Sequence, residues 1–376
     1  MLKTNIMGIE IKNPIVLGSG PWCRGEDNLR KALTCGAGAI VTETITGDSY
    51  PDVSPRYDYN MSSGGLQNIR LYSSLDLETW IHDLKTIEKN ERYGSDTKLI
   101  ASVMGTSPSE LAYIARKVEK TGVDGIELGL ACPMGEGPTV IAGDPEKVYR
   151  YVSEAVEAVT VPVSVKLSAN SFNLPEVVKA CSKAGAAGIS AIDTIRGILS
   201  INLETGKPGL PTYGGYSGAP VRPIGLSTVA GIAQASSLPI LGLGGIENAA
   251  NALEYIMAGA SSCGIATAVL LRGYDIVGEI LTGIDDWLEM HNVDRINQIK
   301  GKALAGLKSF EEIKAEKKVS SIAECCDNEA CDICIRGCLD GAVYFDGEVM
   351  IDEKRCTGCG ICTRICPEGR FELAWR

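Results

Sequence analysis

A chain of 376 residues is too long for one small domain; at ~150 residues per domain it makes two to three units, or one large barrel with an appendage. Apolar side chains make up 45% and charged ones 22%, which excludes a disordered or fibrous chain and allows a substantial core. The net charge of −11, from 36 basic and 47 acidic residues, speaks against binding a nucleic-acid backbone, and no apolar run approaches the ~18 residues of a membrane helix.

Met1 to Pro14 lacks a signal-peptide core, so a cytoplasmic protein is expected. From residue 13 onward the chain alternates two kinds of segment. Short runs rich in Val, Ile and Ala read as strands buried on both faces at 13–20, 39–44, 98–105, 125–132, 162–168, 188–194, 239–245 and 263–269. Amphipathic stretches at 109–121, 145–159, 175–184 and 248–258 read as the helices between them, with Asp144-Pro145 as a good helix start. Eight such units within about 290 residues fit a (β/α)8 TIM barrel, an α/β fold, better than an open sheet. In that architecture chemistry sits at the carboxyl ends of the strands, where Ser19, Glu43, Cys132, Lys166, Asp193 and Gly244 fall. The long insert at 45–96, with Ser63-Gly64-Gly65, is a candidate active-site loop. The expected barrel domain is 1–302, followed by a charged helical connector at 303–324 and a cysteine-rich module at 325–376.

Nine of the 14 cysteines lie between Cys325 and Cys366, a density that points to metal binding rather than disulfides in such a chain. Cys356-x2-Cys359-x2-Cys362-x3-Cys366-Pro367 is the full bacterial ferredoxin run, in which the fourth cysteine serves a second cluster. Cys331-x2-Cys334-x3-Cys338 repeats its last three positions, but Asn328 stands where the first cysteine is expected. With ligands crossed between the runs, one [4Fe–4S] cluster takes Cys338, Cys356, Cys359 and Cys362. The other takes Cys331, Cys334, Cys366 and either Cys326 or Cys325. Two clusters form a relay, and a relay fused to a barrel calls for a redox cofactor inside it. Gly244-Gly245 ends the seventh strand and Ala266-Thr267 the eighth, and backbone amides of these two loops commonly hold a phosphate in such barrels. With the glycine-rich loop 214–218, which contains Ser217 and Gly218, these positions point to FMN. No G-x-G-x-x-G opens a strand–turn–helix unit, so no dinucleotide domain is expected.

Several motifs carry a family resemblance. They are Thr212-Tyr213-Gly214-Gly215-Tyr216-Ser217-Gly218 with Val221-Arg222-Pro223-Ile224, the Gly244-Gly245 turn, Asn68-Ile69 and, in part, Glu127-Leu128-Gly129-Leu130-Ala131-Cys132-Pro133. Across essentially its whole length the chain resembles the dihydroorotate dehydrogenase family, most of all the dihydropyrimidine dehydrogenase-like branch with a C-terminal ferredoxin module. The resemblance implies that Cys132 is the active-site cysteine over the flavin and that Lys166 contacts the isoalloxazine ring. It implies that Ser19, Gly20, Thr42 and Glu43 line the flavin, and that Asn68, Arg70, Asp193 and Thr194 hold substrate.

Departures from the family pattern cluster at the substrate. Gly129 and Asp193 replace asparagines, Met134 stands where Asn is common, Glu43 replaces a lysine and Arg70 a glutamate. Sites built on amide hydrogen bonds discriminate strongly, so these changes imply a substrate other than uracil, thymine or dihydroorotate. Glu43 and Arg70 form either a charge-swapped ion pair beside the flavin or a site where Arg70 meets an anionic substrate group. The expected activity is hydride transfer between FMN and one carbon of a C–C bond in a small unsaturated N-heterocycle, with Cys132 handling the proton on the adjacent carbon. The competing readings are a dihydroorotate or dihydropyrimidine dehydrogenase proper and a non-catalytic electron-transfer subunit. Electrons are expected from a separate NAD(P)H flavoprotein subunit or a ferredoxin, within a homo- or hetero-oligomer.

Overall fold

The apolar runs of the first three hundred residues fold as parallel strands because each is buried on both faces and joined to the next by a helix that packs outside. The structure is a computed structural model and describes residues 1–131, 141–169, 173–314, 318–324, 326 and 331–375. It divides into two compact units, Met1–Gly306 and Leu307–Arg376.

In chain order the strands of the first unit are β1 (Thr4–Ile6), β2 (Ile9–Ile11), β3 (Ile15–Leu17), β4 (Ala39–Val41), β5 (Tyr57–Asn60), β6 (Gly65–Asn68) and β7 (Lys98–Val103). They continue as β8 (Gly125–Leu128), β9 (Val163–Leu167), β10 (Gly188–Ala191), β11 (Ile195–Gly197), β12 (Gly214–Gly218), β13 (Ile240–Leu243) and β14 (Ser262–Ile265). Strands β3, β4, β7, β8, β9, β10, β13 and β14 each pair parallel with the next, and β14 pairs back with β3. The barrel is closed and all eight expected strands are present, most with shorter ends. The eighth was expected to reach residue 269 but stops at Ile265, because the chain turns into a helix at Thr267–Arg272. The helix Pro145–Ala158 starts as expected, its Asp144 side chain accepting from the amides of Glu146 and Lys147, a cap worth about 1 kcal/mol.

One end of the barrel is stoppered. The β1–β2 hairpin pushes Ile6, Met7 and Ile11 against Val16, Val41, Ile100 and Leu241 of the interior. Gly125 and Gly188, at the starts of β8 and β10, admit Met7, whose Sδ would lie 2.6 Å from a Cβ on Gly125. The amino end is thereby filled with side chains, each worth about 1.5–3 kcal/mol when fully buried. Only the carboxyl end is left for a ligand.

That end carries a second, antiparallel sheet in the order β11-β12-β6-β5. Half of it comes from the 45–96 insert, which is therefore a strand pair and a helix (Leu77–Lys89) rather than one long loop. The stretch 214–218, expected as a glycine-rich loop, is strand β12. Its glycines serve close approach: a Cβ on Gly215 would lie 2.2 Å from Thr194 Oγ1, and one on Gly218 2.2 Å from the Gly64 carbonyl.

In the second unit β15 (Lys318–Ile322) pairs with β18 (Phe371–Trp375), and β16 (Val343–Phe345) with β17 (Val349–Ile351). The short helices Ile333–Gly337 and Ile361–Ile365 carry Cys334 and Cys362. The helical connector expected at 303–324 is corrected by this arrangement. Its described residues hold 3-10 turns at Leu304–Gly306 and Phe310–Glu312 and then β15, which belongs to the cysteine-rich unit. Ser309 and Glu312 close a capping box over a single turn, and Val319 and Ser320 are buried against β18, so local charge pattern loses to sheet pairing. Among the described residues no helix is long and apolar enough to cross a membrane.

Candidate active site

A cavity opens where the barrel strands end, and the sheet formed by β5, β6, β11 and β12 supplies one wall. On one side lie Gly244 and Gly245 beyond β13, Ala266 and Thr267 beyond β14, and Ser217 and Gly218 of β12. Gly244, Gly245 and Gly218 have φ of 121°, 67° and 92°, and a Cβ on Gly245 would sit 2.8 Å from the Gly218 carbonyl. Thr267 Oγ1 donates to Ser217 Oγ at 2.9 Å. Backbone amides and hydroxyls on two adjoining glycine turns are donors suited to a phosphate, so this side fits the phosphate end of FMN.

In the same cavity, β9 delivers Lys166 and the end of β10, the barrel neighbour of β13, delivers Asp193. Their charged ends are 3.7 Å apart, with side chains 12% and 20% exposed. Asp193 Oδ1 also accepts from the Thr194 amide at 2.7 Å. Asn68 is braced by two backbone bonds: its Nδ2 donates to Gly215 O at 3.3 Å and its Oδ1 accepts from the Arg70 amide at 3.2 Å. An asparagine amide has two donors and two lone pairs, so one of each is left for a ring. Ser19, Gly20 and Glu43 line the same cavity.

Arg70 and Glu43 do lie together. Arg70 donates one terminal nitrogen to Glu43 Oε1 at 2.6 Å and the other to Asp52 Oδ1, and its side chain is 9% exposed. Arg24 adds contacts to Glu43 Oε2 at 3.7 Å and to Asp52 Oδ2 at 3.0 Å. Burial pushes the Glu43 carboxyl up, against the downward pull of Arg70 and Arg24. For Asp52 the arginines outweigh desolvation, and its carboxyl is held below its ordinary value. The charges swapped relative to the family pattern are thus joined in one network.

Among the described residues, one expected flavin-lining residue is not brought to the cavity. Thr42 is fully buried between β4 and β7, its Oγ1 accepting from the Ser102 amide at 3.0 Å. Thr44 lines the cavity instead, two residues further past the end of β4, with Ser19 Oγ 3.4 Å from its Oγ1. Cys132 and Met134 lie outside the described residues. Trp22 and Tyr57 line the cavity unforeseen, the second because the insert gave no strand pattern. Glu127 is a further site residue that the motif pattern does not single out, although a charge in an otherwise apolar strand is a signal. It is 2% exposed, accepts from Ser190 Oγ at 2.6 Å, and sits near Lys166 and Asp193. Burial raises its carboxyl, and the Lys166 ammonium offsets part of that rise.

In the cysteine-rich unit, Cys334 is flanked by Cys326 and Cys366. Cys356 and Cys362 are bridged by Ser320, whose amide donates to Cys356 Sγ at 3.4 Å and whose Oγ lies 3.1 Å from Cys362 Sγ. The Ala342 amide donates to Cys338 Sγ at 3.2 Å. Thiols gathered with backbone donors aimed at sulfur suit iron–sulfur ligation. Cys326 and Cys366 lie near Cys334; Cys325 lies outside the described residues.

Such a barrel end, with such a cysteine run later in the same chain, is the equipment of a flavin- and iron–sulfur-dependent oxidoreductase. Residues 1–288 match the family described as dihydroorotate dehydrogenase and residues 349–371 match a 4Fe-4S binding domain, and the chain belongs to the dihydroorotate dehydrogenase family. It is 35% identical over 306 residues to a protein of Pyrococcus furiosus named dihydroorotate dehydrogenase B (NAD(+)), catalytic subunit, covering 80% of this chain and 98% of that one. A Methanocaldococcus jannaschii protein of the same name is 34% identical over 310 residues, 81% of this chain and 98% of its own. The Escherichia coli NAD-dependent dihydropyrimidine dehydrogenase subunit PreA is 28% identical over 396 residues, covering 99% of this chain and 95% of its own. The chain is accordingly an enzyme that binds FMN and 4Fe–4S iron–sulfur and acts on CH–CH bonds.

Proposed function

We propose that this chain is the catalytic subunit of a reductase for the C–C double bond of a small, unsaturated, pyrimidine-like N-heterocycle. The observation that carries the reading is the placement of the Lys166–Asp193 pair and Asn68 in the same cavity as the Gly244-Gly245 cradle. FMN, when bound, supplies a two-electron hydride carrier. Gly244, Gly245, Ser217 and Thr267 would hold its phosphate, and Lys166 would place a positive charge beside its ring, where reduction builds up negative charge. Asn68 and Thr194 would orient the substrate ring, and Asp193 would accept from a ring N–H. Cys132 would give a proton to the carbon adjacent to the one reduced, and the thiolate would recover its proton from solvent.

The charge balance around Arg70 favours an uncharged ring over one bearing a carboxylate, since both terminal nitrogens of Arg70 are engaged by Glu43 and Asp52. Electrons would enter from a separate protein, an NAD(P)H-oxidising flavoprotein subunit or a ferredoxin, at the cysteine-rich unit. Residues 311–376 carry 9 basic and 14 acidic side chains, a net −5, which suits a basic docking face. The test is to mix anaerobically reduced holoenzyme with a panel of unsaturated heterocycles, with orotate included. Return of the oxidised-flavin spectrum with an uncharged pyrimidine-like ring supports the reading. Response to orotate alone would make the chain a dihydroorotate dehydrogenase, and no response to any heterocycle would leave an electron-transfer subunit.

A further inference from the structure

The glycine turn beyond β13 has two consecutive residues at positive φ, Gly244 at 121° and Gly245 at 67°. Glycine populates both signs of φ freely, so the peptide plane between them is able to rotate at little cost. A trans peptide points its C=O and N–H in opposite directions, so whatever holds the Gly244 carbonyl also aims the Gly245 amide. That carbonyl is held from behind. Tyr255, on the helix Ala249–Met257, is fully buried, and its hydroxyl lies 2.7 Å from Gly244 O and 3.1 Å from Leu243 O. Leu243 O has a second donor in the Ile192 amide at 3.0 Å, which leaves the hydroxyl to Gly244 O.

Space for the phenol has been cleared from two sides. A Cβ on Gly225, in the helix Arg222–Ala235, would lie 1.9 Å from the Tyr255 hydroxyl, and one on Gly242 of β13 would lie 2.6 Å from the ring. Burial pushes the phenol up, so it stays a donor across the working pH range. A phenylalanine would fill the same ring volume, and the hydroxyl is the part that the two carbonyls explain.

The geometry points to Tyr255 as a positioning residue for the cofactor phosphate: by holding the Gly244 carbonyl it turns the Gly245 amide toward the cavity and keeps the cradle set for an anion before FMN arrives. This rests on the reading of the Gly244-Gly245 turn as the phosphate site. Preorganised donors bind an anion better than donors that must first rotate into place.

The test compares two flavins that differ only in the phosphate. Apoprotein of the full chain is titrated with FMN and with riboflavin, following flavin fluorescence. Wild type should bind FMN the more tightly. Tyr255→Phe should weaken FMN about tenfold, as expected for a lost hydrogen bond with a carbonyl left unpaired, while riboflavin affinity stays within twofold. Equal weakening of both flavins, or unchanged FMN affinity, would overturn the assignment and leave Tyr255 as packing. A wild type that binds FMN and riboflavin alike would overturn the phosphate-site reading itself, and the positioning role with it. Gly225→Ala displaces the same hydroxyl from the other side and should reproduce the selective loss even if Tyr255→Phe fails to fold; FMN affinity unchanged in that variant also overturns the proposal.

Discussion

Removing the Arg70 guanidinium should destabilise the barrel, and more so at alkaline pH. Its two carboxylate partners are Glu43, 5% exposed, and Asp52 at the rim. Breaking a buried ion pair from one side costs about 3–5 kcal/mol, because the partner charge remains without compensation. Arg24 stays 3.7 Å from Glu43 Oε2 and Asp52 is partly solvated, so Arg70→Ala belongs at the lower end, about 3 kcal/mol. At about 2 °C per kcal/mol for a unit of this size, the melting temperature should fall by ~6 °C. Burial already raises the Glu43 carboxyl, and loss of Arg70 raises it further. A carboxylate whose folded-state pKa lies above its unfolded value of ~4.3 penalises the fold once pH exceeds that unfolded value, and the penalty grows until pH passes the folded pKa. The gap between wild type and Arg70→Ala should therefore widen as pH rises above the unfolded value of ~4.3, measured by thermal unfolding of FMN-loaded protein. Adding Glu43→Gln should recover much of the loss, and Arg70→Lys, a point charge unable to span both carboxylates, should fall between. A melting temperature within 2 °C of wild type at pH 8, together with a steep rise in substrate KM, would refute this and make Arg70 a ligand for an anionic substrate group.

Three further outcomes are expected. Anaerobically purified protein should contain about eight iron atoms and one FMN per chain, and Cys326→Ser should lower the iron while Cys325→Ser should not; a count near four would mean a single cluster. Cys132→Ala should keep FMN and iron but cut turnover 10²–10⁴-fold, and Cys132→Ser should shift the remaining activity toward alkaline pH; a loss below about tenfold in steady-state assays would remove Cys132 as the proton donor. NADH or NADPH alone should reduce the bound flavin slowly or not at all in stopped-flow measurements, and rapid reduction would rule out the need for a donor protein.

How much of this was legible beforehand follows from the range of each interaction. Strands buried on both faces announce themselves as short apolar runs, so all eight barrel strands and the barrel class were readable, as was the ferredoxin run, whose spacing is itself the ligand geometry. Gly244-Gly245 and Ala266-Thr267 were readable too, because a barrel fixes where strand ends must lie. The antiparallel sheet was not. Strand β12 is five residues, three of them glycine, and it is a strand only because β6, about 150 residues upstream, and the preceding strand β11 pair with it. The connector misled for the same reason: β15 looks like part of a charged helix until its partner β18, more than fifty residues later, is in place. At the site, strand position alone did not separate Thr42 from Thr44, since depth along the barrel axis is set by the register of neighbouring strands. Motif comparison made Glu43 and Arg70 stand out as swapped charges, but only the folded chain adds Asp52 and Arg24 and joins them into one network. Tyr255 has no sequence signal at all: its hydroxyl matters because a helix brings it behind a glycine turn, and a packing contact between distant segments leaves no local trace.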